Sequence, residues 1–161
     1  MLPASISRYL EQHGVNFSVV PHSVAYTAQE EAAATHVPGR EWAKAVVCMI
    51  DNQPTLAVLP ADHVVDFNRL REVCGARSVR LASEAELRPL YSDCEVGAMP
   101  PFGPLYQQPV VVDRSLTSDP EILFNGGSHR EAIRMRYRDF EELVKPTIAD
   151  FGTPIGVSSR A

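Results

Sequence analysis

The sequence lacks an apolar run long enough to cross a membrane, because a membrane-spanning helix needs about eighteen or more consecutive apolar residues. Its N-terminus, MLPASISRYLEQHG, also lacks the charged start and the apolar core of a signal peptide. We therefore expect a soluble, cytoplasmic protein with no membrane partner.

Cysteine is scarce, and the histidines are scattered. Cys48, Cys74 and Cys94 are odd in number and far apart, which is typical of reduced, mostly buried thiols rather than of a disulfide framework or a zinc site. The five histidines show no HExxH or comparable ligand spacing, and phosphate-loop and dinucleotide fingerprints are missing. We expect no metal and no cofactor.

Lysine is the rarest charged residue. Of 15 Lys plus Arg, only Lys44 and Lys145 are lysines, a bias for which genomic base composition is one explanation. The net charge of −5 argues against a protein that coats nucleic acid with a large basic surface. It leaves open the recognition of one end of an RNA.

Length and composition predict one domain over residues 1–161, with a mobile tail at 147–161 that has no periodicity. Helical spacing and capping residues predict helices over 3–13, 66–74 and 83–90, an alanine-rich helix capped by Thr27 and Glu30, and a closing helix capped by Asp139. The apolar run 45–50 predicts a strand buried on both faces, with 54–59 as its hairpin partner. Further strands are predicted over 16–20, 108–113, 122–125 and through 133–137.

Lys44 stands at the mouth of the predicted central strand. There it is either a surface group that extends past the sheet edge or a cation directed into a pocket. Tyr26 and Thr27 begin the alanine-rich helix, where side chains often face a cleft; a hydrophobic staple is the other interpretation of Tyr26.

The stretch EVGAMPPFGP, residues 95–104, combines two glycines with three prolines, which restricts the backbone strongly. Such a loop can direct successive N–H groups into a cavity and stabilise an oxyanion, with Met99 and Phe102 as an apolar wall. The alternative is a tight connection in which Phe102 fills the core.

A turn at Asn125-Gly126-Gly127 delivers Ser128 and His129 to the start of a strand. His129 is either a general acid or base or a structural hydrogen-bonding group. GGSHR is not the G-x-S-x-G elbow of a serine hydrolase, although an ester hydrolase that uses Ser128 remains a third possibility.

Three features in this order, namely Lys44 before an apolar strand, then GAMPPFG, then NGGSHREAIRM, resemble the YbaK family of free-standing aminoacyl-tRNA deacylases. The editing domain inserted in bacterial prolyl-tRNA synthetases belongs to the same family. The resemblance covers roughly residues 5 to 146. It implies an α/β (α+β) fold with a mixed, barrel-like sheet surrounded by helices, and a metal-free hydrolytic site.

The resemblance also implies the site residues. It assigns catalytic roles to Lys44, Gly97, Pro101 and His129, and implies that the lysine holds the phosphate end of the terminal adenosine or the ester, while the glycine loop supplies backbone donors. With no strong general base evident, a hydroxyl of the terminal ribose activates the water. The resemblance also matches Gly127 and Ser128, which we take as candidate substrate-binding residues. Our own candidates for the small pocket wall that selects the aminoacyl group are Tyr26, Thr27, Val46, Met99 and Phe102.

The implied substrate is a tRNA acceptor end that carries the wrong amino acid, above all tRNA-Pro, and prolyl-tRNA synthetase is a possible partner. Gly126-Gly127 and Trp42 match no particular subgroup, so the amino acid removed stays open, as does the oligomeric state. The rival hypothesis is a non-catalytic module of the same fold that binds a small metabolite, a nucleotide end or a protein.

Overall fold

The computed structural model describes residues 1–156. The helices are α1 (Ala4–Gln12), α2 (Ala28–Ala34), α3 (Phe67–Val73), α4 (Glu84–Leu90) and α5 (Tyr137–Val144). The strands are β1 (Ser18–Pro21), β2 (Ala43–Ile50), β3 (Gln53–Pro60), β4 (His63–Val65), β5 (Val79–Leu81), β6 (Val110–Asp113), β7 (Glu121–Ser128), β8 (Glu131–Arg136), β9 (Thr147–Ala149) and β10 (Gly152–Pro154).

The strands form a five-stranded sheet in the order β5-β2-β3-β6-β9, a three-stranded sheet in the order β1-β8-β7, and the pair β10-β4. The larger sheet is mixed, because β2 and β3 are antiparallel whereas β6 runs parallel to both β3 and β9. A bridge between Trp42 and Leu123 joins the two larger sheets. The expected α+β fold with a mixed sheet is confirmed, but the strands of residues 1–156 do not close into a barrel.

The apolar run in β2 reflects burial on both faces of the sheet, as predicted. Val47 and Met49 face a core that also holds buried residues of α1 and α5, whereas Cys48 faces a second cluster with Leu70 and Phe151. The turn to β3 places Asp51 and Asn52 at φ values of +49° and +64°. These short polar residues tolerate the left-handed region better than most, and it suits a two-residue hairpin.

The predicted helices and the hairpin are confirmed, and Ser83 and Glu86 form both hydrogen bonds of a capping box. The expected strand through Tyr137 and the cap at Asp139 are wrong. β8 ends at Arg136, and α5 begins at Tyr137, whose N–H donates to the carbonyl of Pro120. That bond is in register with the pairing of Glu121 and Arg136, and Pro120 has no N–H to return a second one, so the ladder ends there. Asp139 therefore lies inside the first turn of the helix.

The expected mobile tail is wrong for residues 147–154. β9 pairs with β6 and β10 pairs with β4. The Asp113 carboxylate accepts hydrogen bonds from the N–H groups of Phe151 and Gly152, at 2.9 and 2.7 Å, and Phe151 is fully buried. Residues 157–161 of the expected tail lie outside the described residues. No helix within 1–156 is long and apolar enough to span a bilayer.

Candidate active site

The candidate site lies where β2 and β7 diverge. The two strands meet at the bridge of Trp42 to Leu123, after which β7 continues to Ser128, while β5 pairs with β2 only from Cys48 onwards. The stretch of β2 in between borders a cavity of about 180 Å³. Its lining is apolar: Ala45, Val46, Val47, Leu81, Ala82, Leu87, Gly97 and Met99.

The loop after α4 is held against the end of β7 by its backbone. Glu95 N–H donates to the carbonyl of Gly127 at 2.8 Å, and Gly127 N–H donates to the carbonyl of Ala98 at 2.9 Å. Gly97 has a φ of +83° and Gly127 a φ of +101°, values that favour glycine. A Cβ at Gly127 would also lie 2.7 Å from Cγ of Pro3. The two glycines therefore let the loop and the strand end pair closely.

Two backbone donors of the loop belong to residues that line the cavity. Among the hydrogen bonds of residues 1–156, none has the N–H of Gly97 or Met99 as its donor, and both residues line the cavity. Pro100 and Pro101 follow directly and have no N–H to offer. A fixed pair of N–H donors can stabilise negative charge that develops on a carbonyl oxygen.

His129 is buried beside this loop, with 6% of its surface exposed. Its Nε2 lies 2.9 Å from the carbonyl oxygen of Val96, so Nε2 carries the proton and donates it. Its ring packs against Tyr26, with the ring centroids 5.0 Å apart, and Tyr26 itself is largely exposed. The structure thus brings Tyr26, His129 and the Gly97 loop together.

A buried carboxyl group completes this cluster, and the sequence analysis missed it. Glu31 in α2 is 2% exposed, and its Oε1 lies 3.5 Å from the donating amide Nδ2 of Asn125 and 3.9 Å from Nδ1 of His129. Burial raises the pKa of Glu31 to about 8; the bond from Asn125 opposes this effect and the charge of Glu30 adds to it. The sequence does indicate this burial, because Glu31 lies on the same face of the helix as Ala28, Ala32 and Thr35.

Lys44 is half-buried in β2. Because side chains alternate along a strand, it lies on the same face as Trp42, and the next residues, Ala45 and Val46, line the cavity. Burial lowers the pKa of Lys44, an effect that Asp62 partly offsets. Within residues 1–156 no carboxylate lies within ion-pair distance of Lys44, so Lys44 forms no ion pair there.

Three other predicted site residues, Phe102, Thr27 and Ser128, are not in the cavity lining. Phe102 lies in the core against Tyr9 and Phe124, at centroid distances of 5.3 and 5.2 Å, so its expected place in the pocket wall is wrong. Thr27 caps α2: its hydroxyl accepts from Glu30 N–H and donates to the Glu30 carboxylate. Ser128 Oγ accepts from Arg130 N–H at 3.3 Å.

Pro101 is buried in the loop beside the cavity, whereas Val46 and Met99 lie in the cavity wall. Throughout residues 1–156, no group of three His, Cys, Asp or Glu side chains is placed to hold a metal ion. The chemistry that the site offers is therefore a small apolar cavity with two backbone donors, a nearby lysine, and a buried imidazole and carboxyl pair.

Comparison with known proteins gives consistent results. A family model described as "Aminoacyl-tRNA editing domain" matches residues 22–143. The multifunctional Ser/Thr-tRNA deacylase ProXp-y of Escherichia coli (strain K12) is 30% identical over 151 residues, covering 88% of this chain and 87% of that protein.

A proline--tRNA ligase of Bacillus cereus (strain AH187) is 28% identical over 90 residues, covering 56% of this chain but only 16% of the ligase. A solved structure described as a candidate trans-editing enzyme for prolyl tRNA synthetase has a TM-score of 0.81 and 25% identity, with 95% of this chain and 99% of that chain covered.

Proposed function

This chain belongs to the aminoacyl-tRNA editing domain family, and we propose that it removes wrongly attached amino acids from tRNA by hydrolysing the ester at the 3′ end. The observation that carries the proposal is the pair of N–H groups of Gly97 and Met99, which have no acceptor within residues 1–156 and belong to residues that line a small cavity. The similarity to a tRNA deacylase over most of both chains supports the same activity.

In the proposed reaction, water adds to the ester carbonyl carbon and negative charge develops on the carbonyl oxygen. The N–H groups of Gly97 and Met99 donate to that oxygen, which stabilises the transition state more than the ground state. The bond from the carbonyl carbon to the ribose oxygen then breaks. A neighbouring ribose hydroxyl passes the proton of the water to the leaving oxygen, and the products are a free amino acid and tRNA.

Lys44 binds the phosphate of the terminal nucleotide in this proposal. Lys44 forms no ion pair in the described residues, and the next residues of its strand line the cavity wall. A phosphate held by Lys44 places the ester at the loop, and such positioning is itself a large part of catalysis. Tyr26 offers an exposed aromatic ring beside His129.

We propose small aminoacyl groups as the ones removed, from tRNA-Pro in the first instance. A cavity of about 180 Å³ with an apolar lining suits a small side chain. Such a lining rejects an added hydroxyl poorly, by about 10²-fold or less, so alanyl and seryl esters should both react. Similarity to a Ser/Thr-tRNA deacylase and to a proline--tRNA ligase supports this choice of side chains and of tRNA.

The test is hydrolysis of alanyl-, seryl- and threonyl-tRNA-Pro by the purified protein and by Lys44→Ala. We expect rapid loss of the ester with the wild type and a large decrease with Lys44→Ala. Lys145→Ala is the matched control, because Lys145 is exposed at the end of α5, away from the cavity lining.

Two results would count against the proposal. Equal rates for Lys44→Ala and the wild type would remove Lys44 from the site. No hydrolysis of any ester, with or without added prolyl-tRNA synthetase, would favour a non-catalytic binding module.

A further inference from the structure

Both nitrogen atoms of His129 are directed at protein groups. Nε2 donates to the carbonyl of Val96 at 2.9 Å, and Nδ1 has no hydrogen-bond partner within residues 1–156. The charged group nearest Nδ1 in the ion-pair geometry is Glu31, whose Oε1 is 3.9 Å away. An imidazole with this geometry and 6% exposure is poorly placed to exchange protons with a substrate.

Glu31 can supply the hydrogen-bond donor that Nδ1 lacks. With Nε2 protonated, Nδ1 presents a lone pair, and a protonated carboxyl group is a donor that matches it. The Oε1 atom of Glu31 accepts from Asn125, while its Oε2 and the Oδ1 of Asn125 have no partner in the described residues. The charged or titratable groups around Glu31 are Glu30 on the same helix and His129. If the proton of the Glu31 carboxyl group is held between Glu31 and Nδ1 of His129, no isolated charge is left in the interior.

The bond from His129 to Val96 has a geometric consequence for the neighbouring donor. The carbonyl of Val96 and the N–H of Gly97 belong to the same planar peptide unit, in which they point in opposite directions. Fixing the carbonyl on His129 therefore fixes the direction of the Gly97 N–H, away from His129. Gly97 lies close to the ring, since a Cβ placed there would be 3.9 Å from Cε1 of His129.

We propose that Glu31 and His129 form a buried positioning pair, in which Glu31 holds the imidazole and the imidazole, through the Val96 carbonyl, orients the Gly97 N–H toward the substrate. This inference rests on the proposed function for its catalytic consequence, but the orientation of the Gly97 peptide can be measured without it. Neither residue touches the reacting atoms, and both act through the loop backbone.

The experiment compares Glu31→Leu with Glu31→Gln. Glutamine keeps an acceptor for Asn125 and an N–H donor for His129, whereas leucine keeps the volume and removes both. Because complete loss of an oxyanion donor costs about 10²–10³ in kcat, we expect misorientation of one donor in Glu31→Leu to lower kcat about tenfold. KM should stay unchanged, because the donor acts on the transition state. Glu31→Gln should retain most of the wild-type kcat.

The second readout is the backbone amide resonance of Gly97 in a ¹H–¹⁵N NMR spectrum. We expect it to shift or broaden in Glu31→Leu and to stay near its wild-type position in Glu31→Gln. The exposed neighbour Glu30→Gln is the matched control and should change neither kcat nor the Gly97 resonance. A folded Glu31→Leu with wild-type kcat and an unshifted Gly97 amide would overturn the proposal.

If Glu31→Leu does not fold, the dependence of kcat on pH in the wild type and in Glu31→Gln tests the proposal instead. Above pH 8 an ionised Glu31 can no longer donate, so the wild-type kcat should fall while that of Glu31→Gln does not, after subtraction of uncatalysed hydrolysis. Identical profiles would overturn the proposal. If the wild type hydrolyses no ester at all, the proposed function fails, whereas the Gly97 resonance still reports on the pair.

Discussion

The buried carboxyl of Glu31 should make the stability of the protein fall as pH rises through the neutral range. Its pKa is raised from 4.5 to about 8 by burial, so the folded protein binds a proton that the unfolded chain releases above pH 4.5. The stabilisation by this proton is fully present below pH 4.5 and is lost as pH rises towards 8. Glu31→Gln keeps the shape of the side chain and has no proton to lose.

The expected size of this stability change follows from the linkage between proton binding and folding. Each pH unit between the two pKa values changes the free energy of unfolding by about 1.4 kcal/mol, so the wild type should lose about 3 kcal/mol relative to Glu31→Gln between pH 5 and pH 7.5. Other titrating groups, such as Asp119, are present in both proteins, so most of their effect cancels in the difference.

Urea unfolding of both proteins at half-unit steps of pH measures this difference directly. We expect a line that rises in favour of Glu31→Gln and flattens above pH 8. A difference that does not depend on pH would contradict this expectation, because it would mean that Glu31 is already ionised in the folded protein at pH 5.

Two further predictions concern the backbone, one at the site and one at the C-terminal strands β9 and β10. Gly97→Ala forces φ of +83° on an L-residue whose Cβ makes only an ordinary contact, 3.9 Å to Cε1 of His129, so thermal unfolding should show a loss of about 1–2 kcal/mol. Gly127→Ala, whose Cβ would meet Cγ of Pro3 at 2.7 Å, should lower the Tm further. An equal Tm for the two variants would contradict this contact. Asp113→Ala removes the acceptor of the Phe151 and Gly152 N–H groups, so it should lower the free energy of unfolding by about 1–3 kcal/mol. Hydrogen exchange of the backbone amides in 147–154 should become faster. Unchanged exchange would show that β9 and β10 are held by other contacts.

The central part of the fold could be predicted from the sequence because its signals are local and long. The run Ala45 to Ile50 is apolar on both faces and has a hairpin partner nearby, and the structure places β2 and β3 there. By contrast, β9 and β10 are three residues each, too short for any periodicity, and they depend on the buried carboxylate of Asp113 from a distant part of the chain.

The same distinction applies to the site. The restricted loop could be recognised from its glycines and prolines, and His129 from its place after a glycine turn. The partners of these groups could not be predicted, because Glu31, Val96 and Gly127 meet only in the folded chain. Glu31 follows Glu30 at the start of a helix, where an acidic residue normally faces solvent and favours the helix dipole. Phe102 shows the converse error, since a residue within the loop faces the core.

We propose that the cavity at the Gly97 loop hydrolyses aminoacyl esters on tRNA. The most direct measurement is the single-turnover rate at which the purified protein releases alanine or serine from tRNA-Pro, compared with the uncatalysed rate. We expect hydrolysis well above the uncatalysed rate for both amino acids, with a large loss in Lys44→Ala and none in Lys145→Ala. A rate equal to the uncatalysed one for every small aminoacyl group would contradict it.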